Sequence, residues 1–154
     1  MFEEIYPNPI QVEQSIYTIG NSVESDEIII KYYQWLIDNI QSLLAPAQYD
    51  QITNLIEIIL KERINHNNIL KNMYFQLTGN VVNIVEKEFA EPEDFKIEIM
   101  AEYIRTLEDI QKYGLIMSGL PSLYYRDLIY SIISDKIRHA SLYNYILNII
   151  TNIK

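Results

Sequence analysis

Only 4 glycines and 5 prolines punctuate the 154 residues, and where they fall limits what the chain can fold into. Proline removes a backbone donor and clashes with the preceding helical turn, while glycine readily takes the left-handed conformation that ends a helix. The stretches between these breakers are long and carry apolar residues at helical spacing. A first helix is predicted from near Ser22 or Ser25, either of which can cap it, to about Leu44, before Ala45-Pro46-Ala47. A second runs from about Gln48 to Leu77 and stops at Thr78-Gly79. The segment Asn80–Asp94 is a long connection, followed by a third helix from about Pro92 to Met117. Ser118-Gly119-Leu120-Pro121 makes a tight turn, and a fourth helix fills the chain to about Asn152. Pro7 and Pro9 argue against a long helix in the first twenty residues, so 1–21 are expected to be a loosely ordered lead-in. The prediction is one all-α domain over 1–154, a four-helix bundle with a long connection between helices 2 and 3.

Composition narrows the function classes. The absence of cysteine excludes disulfides, thiolate metal sites and cysteine nucleophiles. A net charge of −9, with only 12 lysines and arginines, argues against nucleic acid or anionic membranes as partners. The start Met1-Phe2-Glu3-Glu4 is acidic and lacks the basic and apolar regions of a signal peptide. No apolar run approaches the roughly 18–20 residues of a membrane span. A cytoplasmic protein is expected.

Helical period then sorts the polar residues. On the first helix Glu27, Lys31, Gln34, Asp38 and Gln41 form a solvated face, which leaves Asp26 at the inner edge of the opposite stripe. On the third, Glu98, Glu102, Arg105, Asp109 and Lys112 are read as the wet face. Ile99, Tyr103, Thr106, Ile110 and Tyr113 are read as the dry one. The second and fourth helices place Arg63 with His66, and Lys136 with His139, on otherwise apolar stripes.

Those two stripes carry an internal repeat. Glu62-Arg63-Ile64-Asn65-His66 aligns with Asp135-Lys136-Ile137-Arg138-His139, each reading carboxylate, base, Ile, polar, His. One inward histidine reads most simply as a satisfied core residue. Two at repeat-related positions, each with a carboxylate four residues earlier, point to the framework of a metal site. The bases are open to two readings: they point into the core, or their long stems snorkel to water.

The second-helix segment His66–Gly79, the third-helix Leu107-Glu108-Asp109-Ile110-Gln111-Lys112-Tyr113 and the fourth-helix Ile132–Ala140 with Tyr143-Asn144-Tyr145 resemble the ferritin-like superfamily. The similarity is to its short rubrerythrin-like members without a rubredoxin domain, and it covers roughly residues 22–150. The resemblance implies a dinuclear metal centre built from one Glu on each of two helices and an E-x-x-H pair on each of the others. In this chain the E-x-x-H positions hold Arg63 and Lys136. The two remaining Glu positions hold Asp26 and Thr106. Three of the four expected carboxylates are missing.

Neither guanidinium nor ammonium has a lone pair for a metal, and both repel divalent ions. Arg63 and Lys136 are therefore expected to supply the positive charge that metals supply in such relatives, with Asp26, Glu62 and Asp135 as counter-ions. On this reading the protein has no cofactor and acts as a structural or interaction protein. The competing reading keeps an iron- or manganese-binding oxidoreductase with displaced ligands, Glu62/His66 and Asp135/His139 at i, i+4, joined by Asp26. A hydrolase has no support, since no recognisable motif sets a nucleophile beside either histidine. Bundles of this kind often form homodimers, which is kept as an expectation.

Overall fold

A computed structural model describes residues 7–152, and among these the chain is all-helical with no strand. Five α-helices follow one another: α1 Pro9–Asn21, α2 Asp26–Ile40, α3 Pro46–Thr78, α4 Phe95–Ser118 and α5 Leu123–Thr151, with a short 3₁₀ turn Gln41–Leu43 after α2. The acidic start Met1–Glu4 lies outside the described residues.

The four predicted helices are present with ends shifted by a few residues, and the reasons are local. Ser122 and Asp94 accept from the backbone N–H groups of Tyr125 and Ile97, which starts α5 and α4. Gly79 ends α3 at φ 73°, the left-handed cap conformation. Residues 80–94 form the non-helical connection before α4.

The lead-in expectation is corrected. Residues 9–21 form α1, because Pro9 occupies the first helical position, where its missing N–H costs nothing. Asn8 and Gln11 close a reciprocal capping box around that start. The helix docks on α4: Ser15 donates its hydroxyl to the carbonyl of Ile116 at 2.9 Å in a buried position.

Two apolar clusters fill the interior. One joins α2, the first half of α3, the start of α4 and the end of α5, around Tyr33, Leu36, Ile56, Ile99 and Ile146. The other joins α1, the second half of α3, the end of α4 and the start of α5, around Ile19, Leu70, Ile116 and Ile132. Each fully buried Ile or Leu contributes ~1.5–3 kcal/mol. Arg63, His66, Thr106, Lys136 and His139 fall in sequence where one cluster hands over to the other, so the polar residues form a layer at mid-height.

The close seat of α1 tests this packing. A Cβ on Gly119 would lie 2.1 Å from Ser15 Oγ and 2.5 Å from the Gln11 carbonyl oxygen. Gly119→Ala is expected to lower stability by ~1–3 kcal/mol through overpacking, read as a shifted denaturation midpoint. An unchanged midpoint would mean that α1 does not rest on α4 there.

Candidate functional site

The polar layer is built from the repeated segment. The carboxylate four residues before each histidine leaves its own helix and crosses to the other copy. His66 Nε2 lies 2.8 Å from Asp135 Oδ2, and His139 Nε2 lies 2.6 Å from Glu62 Oε2. The two imidazoles stack with centroids 5.8 Å apart and planes 29° from parallel. Arg138 ties the outer side of the arrangement together by donating to both Glu62 and Asp135. The result is a pseudo-symmetric chain, His66–Asp135–Arg138–Glu62–His139.

Both rings are neutral. Burial pushes the His139 pKa down to about 3, with Lys136, His66 and Arg63 adding repulsion that the carboxylates do not offset. Burial also lowers His66, against the hydrogen bond to Asp135. Geometry agrees for His66, whose Nδ1 is buried without a partner. A proton there would be an unpaired buried donor, so His66 donates from Nε2–H and keeps a bare lone pair on Nδ1. Asp135 feels burial pushing it up, but the His66 bond and the nearby positive charge hold it below its usual range.

The two bases point inward. Lys136 is 2% exposed, which settles its orientation against snorkelling. Its ammonium donates to Asp109 Oδ2 at 2.6 Å, and Lys112 binds the other oxygen of Asp109 at 2.9 Å. Burial and the charge of Arg63 push the Lys136 pKa down against the pull of Asp109. Asp109 resists its own burial because both lysines hold it below its usual range. Arg63 donates to Glu102 at 3.1 Å and to Glu24 at 2.7 Å, and its guanidinium lies 6.0 Å from the centre of the Tyr33 ring. Burial opposes its charge, but Tyr33, Glu102 and Glu24 outweigh that and raise its pKa. Above it the Tyr33 and Tyr143 hydroxyls bond each other at 2.8 Å, each satisfying the other inside the core. A cleft of about 460 Å³ opens beside the layer, walled by Tyr32, Arg63, Glu102, Arg105, Asp109 and Lys136.

Several sequence expectations are corrected. The counter-ions of the bases are not Asp26, Glu62 and Asp135. Asp26 opens α2 and accepts from Asn67 at 2.5 Å and Lys71 at 3.0 Å, residues one and two turns beyond Arg63 on α3. Glu62 and Asp135 bind the histidines and Arg138 instead. The actual partners are Glu24, Glu102 and Asp109. Helical period assigns Glu102 and Asp109 to the wet face, yet Glu102 is buried and Asp109 half-buried. The spacing that reveals them is Ile99, Glu102, Thr106, Asp109, Tyr113 and Ile116, an equally regular 3-4 stripe one step around the helix. Thr106 is buried as expected, and its hydroxyl is spent on the Glu102 carbonyl at 2.8 Å.

As placed, the i, i+4 pairs Glu62/His66 and Asp135/His139 do not act as two chelating pairs, since each carboxylate faces the histidine of the other helix. Among the described residues, no three His, Asp or Glu side chains converge in a cluster that would hold a metal ion. No helix among them is long and apolar enough to cross a membrane. No protein-family model, curated protein or solved structure matches the chain.

The histidines give a pH signature. The folded pKa of His139 lies below its ordinary 6.5, so folding opposes protonation. Its contribution to stability is complete above about pH 6.5 and is lost as pH falls toward 3. Denaturation at pH 7 and pH 4.5 is expected to show a drop on the order of a few kcal/mol, with much less of a drop in His139→Gln. Nitrogen-15 spectra are expected to show the His139 ring neutral at pH 5.5 and the His66 ring neutral at pH 7, each with the proton on Nε2. A ring that titrates near 6.5 would contradict the buried neutral assignment.

Proposed function

We propose that the protein is a ferritin-like four-helix bundle, made of α2, α3, α4 and α5, in which an internal ion-pair layer replaces the dinuclear metal centre. On this reading it is a structural or interaction protein that carries no redox metal. The observation that supports it most is the pairing of two features on each repeat. A buried histidine donates Nε2–H to a carboxylate from the facing helix, which is how metal-ligating histidines are oriented and kept basic at the other nitrogen. Three residues before each histidine, where a bundle of this class places a ligating carboxylate, stands an inward cation, Lys136 buried and Arg63 half-buried.

The residues present do not fit a pair of divalent ions. Arg63 and Lys136 offer no lone pairs, and their charges sit among the atoms a metal would need. The acids that could neutralise a metal are engaged: Glu24 and Glu102 by Arg63, Asp109 by Lys136 and Lys112, and Glu62 and Asp135 by the histidines and Arg138. The Nδ1 lone pairs of His66 and His139 are what remain of a ligand set. Such a layer holds buried charge in balance and fixes the register of four helices, a role attested for some buried polar groups. Chemistry on a substrate is not part of the proposal.

Elemental analysis of protein purified without chelators is expected to give less than one iron, manganese or zinc per chain, with no ferroxidase activity. A content of about two metals per chain, lost on replacing His66 and His139 by alanine, would return the oxidoreductase reading.

A further inference from the structure

The cleft beside the polar layer has a wall that the ion pairs do not account for. Tyr32, Tyr33, Phe89 and Tyr113 line it together with Ile29 and Leu70, around a volume of about 460 Å³. Small-molecule sites span ~300–1,000 Å³ and combine apolar and aromatic walls with a few placed polar groups. The hydroxyls of Tyr32 and Tyr33 are spent on Glu98 and Tyr143, so these residues offer the cleft ring surface. Phe89 comes from the non-helical connection 80–94, which sets this aromatic side chain against the cleft.

One polar atom of the wall has no partner. His66, 3% exposed, gives its Nε2–H to Asp135, which is not a wall of the cleft. Its Nδ1 is left as a buried acceptor that no group of the protein bonds. A buried acceptor without a donor is destabilising, and a ligand that brings an O–H or N–H removes that penalty.

The charges of the wall decide against an ionic ligand. Arg63 is bonded to Glu24 and Glu102, Arg105 to Glu98 and Glu102, and Lys112 and Lys136 share Asp109. An anion would have to displace one of these acids from its base. A cation would meet the two inward bases, and the remaining acid of the wall, Glu108, is exposed, where its attraction is weak. A neutral molecule disturbs none of these pairs.

We propose that the cleft binds a neutral one- or two-ring aromatic molecule carrying an O–H or N–H donor, with its ring among the tyrosines and Phe89 and its donor on His66 Nδ1. Aromatic pairs of this kind add to the gain from burying ring area. The proposal rests on the metal-free reading, because a metal would take the same lone pair.

Indole is the probe, with 1-methylindole as the ring without its donor and indole-3-carboxylate as the anion. Calorimetric titration of the full chain, purified without chelators, is expected to give a Kd of ~1 mM or tighter for indole. Binding of 1-methylindole and of indole-3-carboxylate is expected to be ~10-fold weaker or more. Added indole is expected to move the nitrogen-15 signal of His66 Nδ1 upfield. Ile28→Trp enlarges a half-buried wall residue that belongs to none of the ion pairs, and is expected to weaken indole binding ~10-fold. Ile58→Trp, on an exposed position of α3, is expected to leave it unchanged, and far-UV spectra check that both variants remain helical. Folded, metal-free protein that ignores indole, binds either analogue as tightly, or binds indole without moving Nδ1 overturns the proposal and leaves the metal-free reading standing. So does indole binding that Ile28→Trp leaves unchanged, or that Ile58→Trp weakens equally. About two metals per chain in the same sample overturns both.

Discussion

Seating Arg63, half-buried, and Lys136, buried, between two apolar clusters is the constraint that the rest of the interior answers to. A charge taken out of water costs several kcal/mol unless it is paired and hydrogen-bonded. That requirement draws Glu102 and Asp109 of α4 inward and holds Glu24, just before α2, against Arg63. Each of these bonds joins two different segments, so satisfying the charges also fixes which helices are neighbours and at what height.

The histidines belong to the same logic on the opposite side. With two cations nearby, protonated imidazoles would add charge that the carboxylates of the layer do not balance, and burial keeps both rings neutral. Neutral rings can still donate one hydrogen bond each, and these go across to the carboxylate of the other repeat. Arg138 then closes the outer edge by donating to both acids at once. The exchange of carboxylates between the repeats means that neither α3 nor α5 satisfies its own histidine. A slip of one helix against the other would leave a half-buried acid and a buried ring unpaired together.

The sequence makes the helices legible because their boundaries are local chemistry: Ser122 and Asp94 as caps, Gly79 as a stop. α1 escapes a reading that treats Pro9 only as a breaker, when the same ring favours a helix at its first position. The inward stripes of α3 and α5 are readable from period, including Lys136 and both histidines. The partners are harder, because they depend on which helix faces which. Asp109 and Glu102 share a 3-4 spacing with Ile99, Thr106 and Tyr113, but so do Tyr103 and Ile110, and composition favours the apolar pair. Only the cations on α3 and α5 decide for the acids. Likewise, i−4 spacing puts Glu62 beside His66 on one face, and the stacking of the two rings across the helices determines that it bonds His139 instead.

Charge reversal at the two bases bears most directly on whether they stand where metal charge would stand. In the double variant Arg63→Glu with Lys136→Glu, the acids Glu24, Glu102 and Asp109 lose their inner partners and join two more carboxylates beside His66 and His139. Like charges in the layer would repel or take up protons, lowering stability in the absence of metal. A divalent ion that binds only the folded form then restores stability by linkage. The expected result is a melting temperature that rises with added iron(II) or manganese(II) in the double variant and stays flat in the parent. A folded double variant that ignores both metals, or a parent that responds as strongly, would contradict the account.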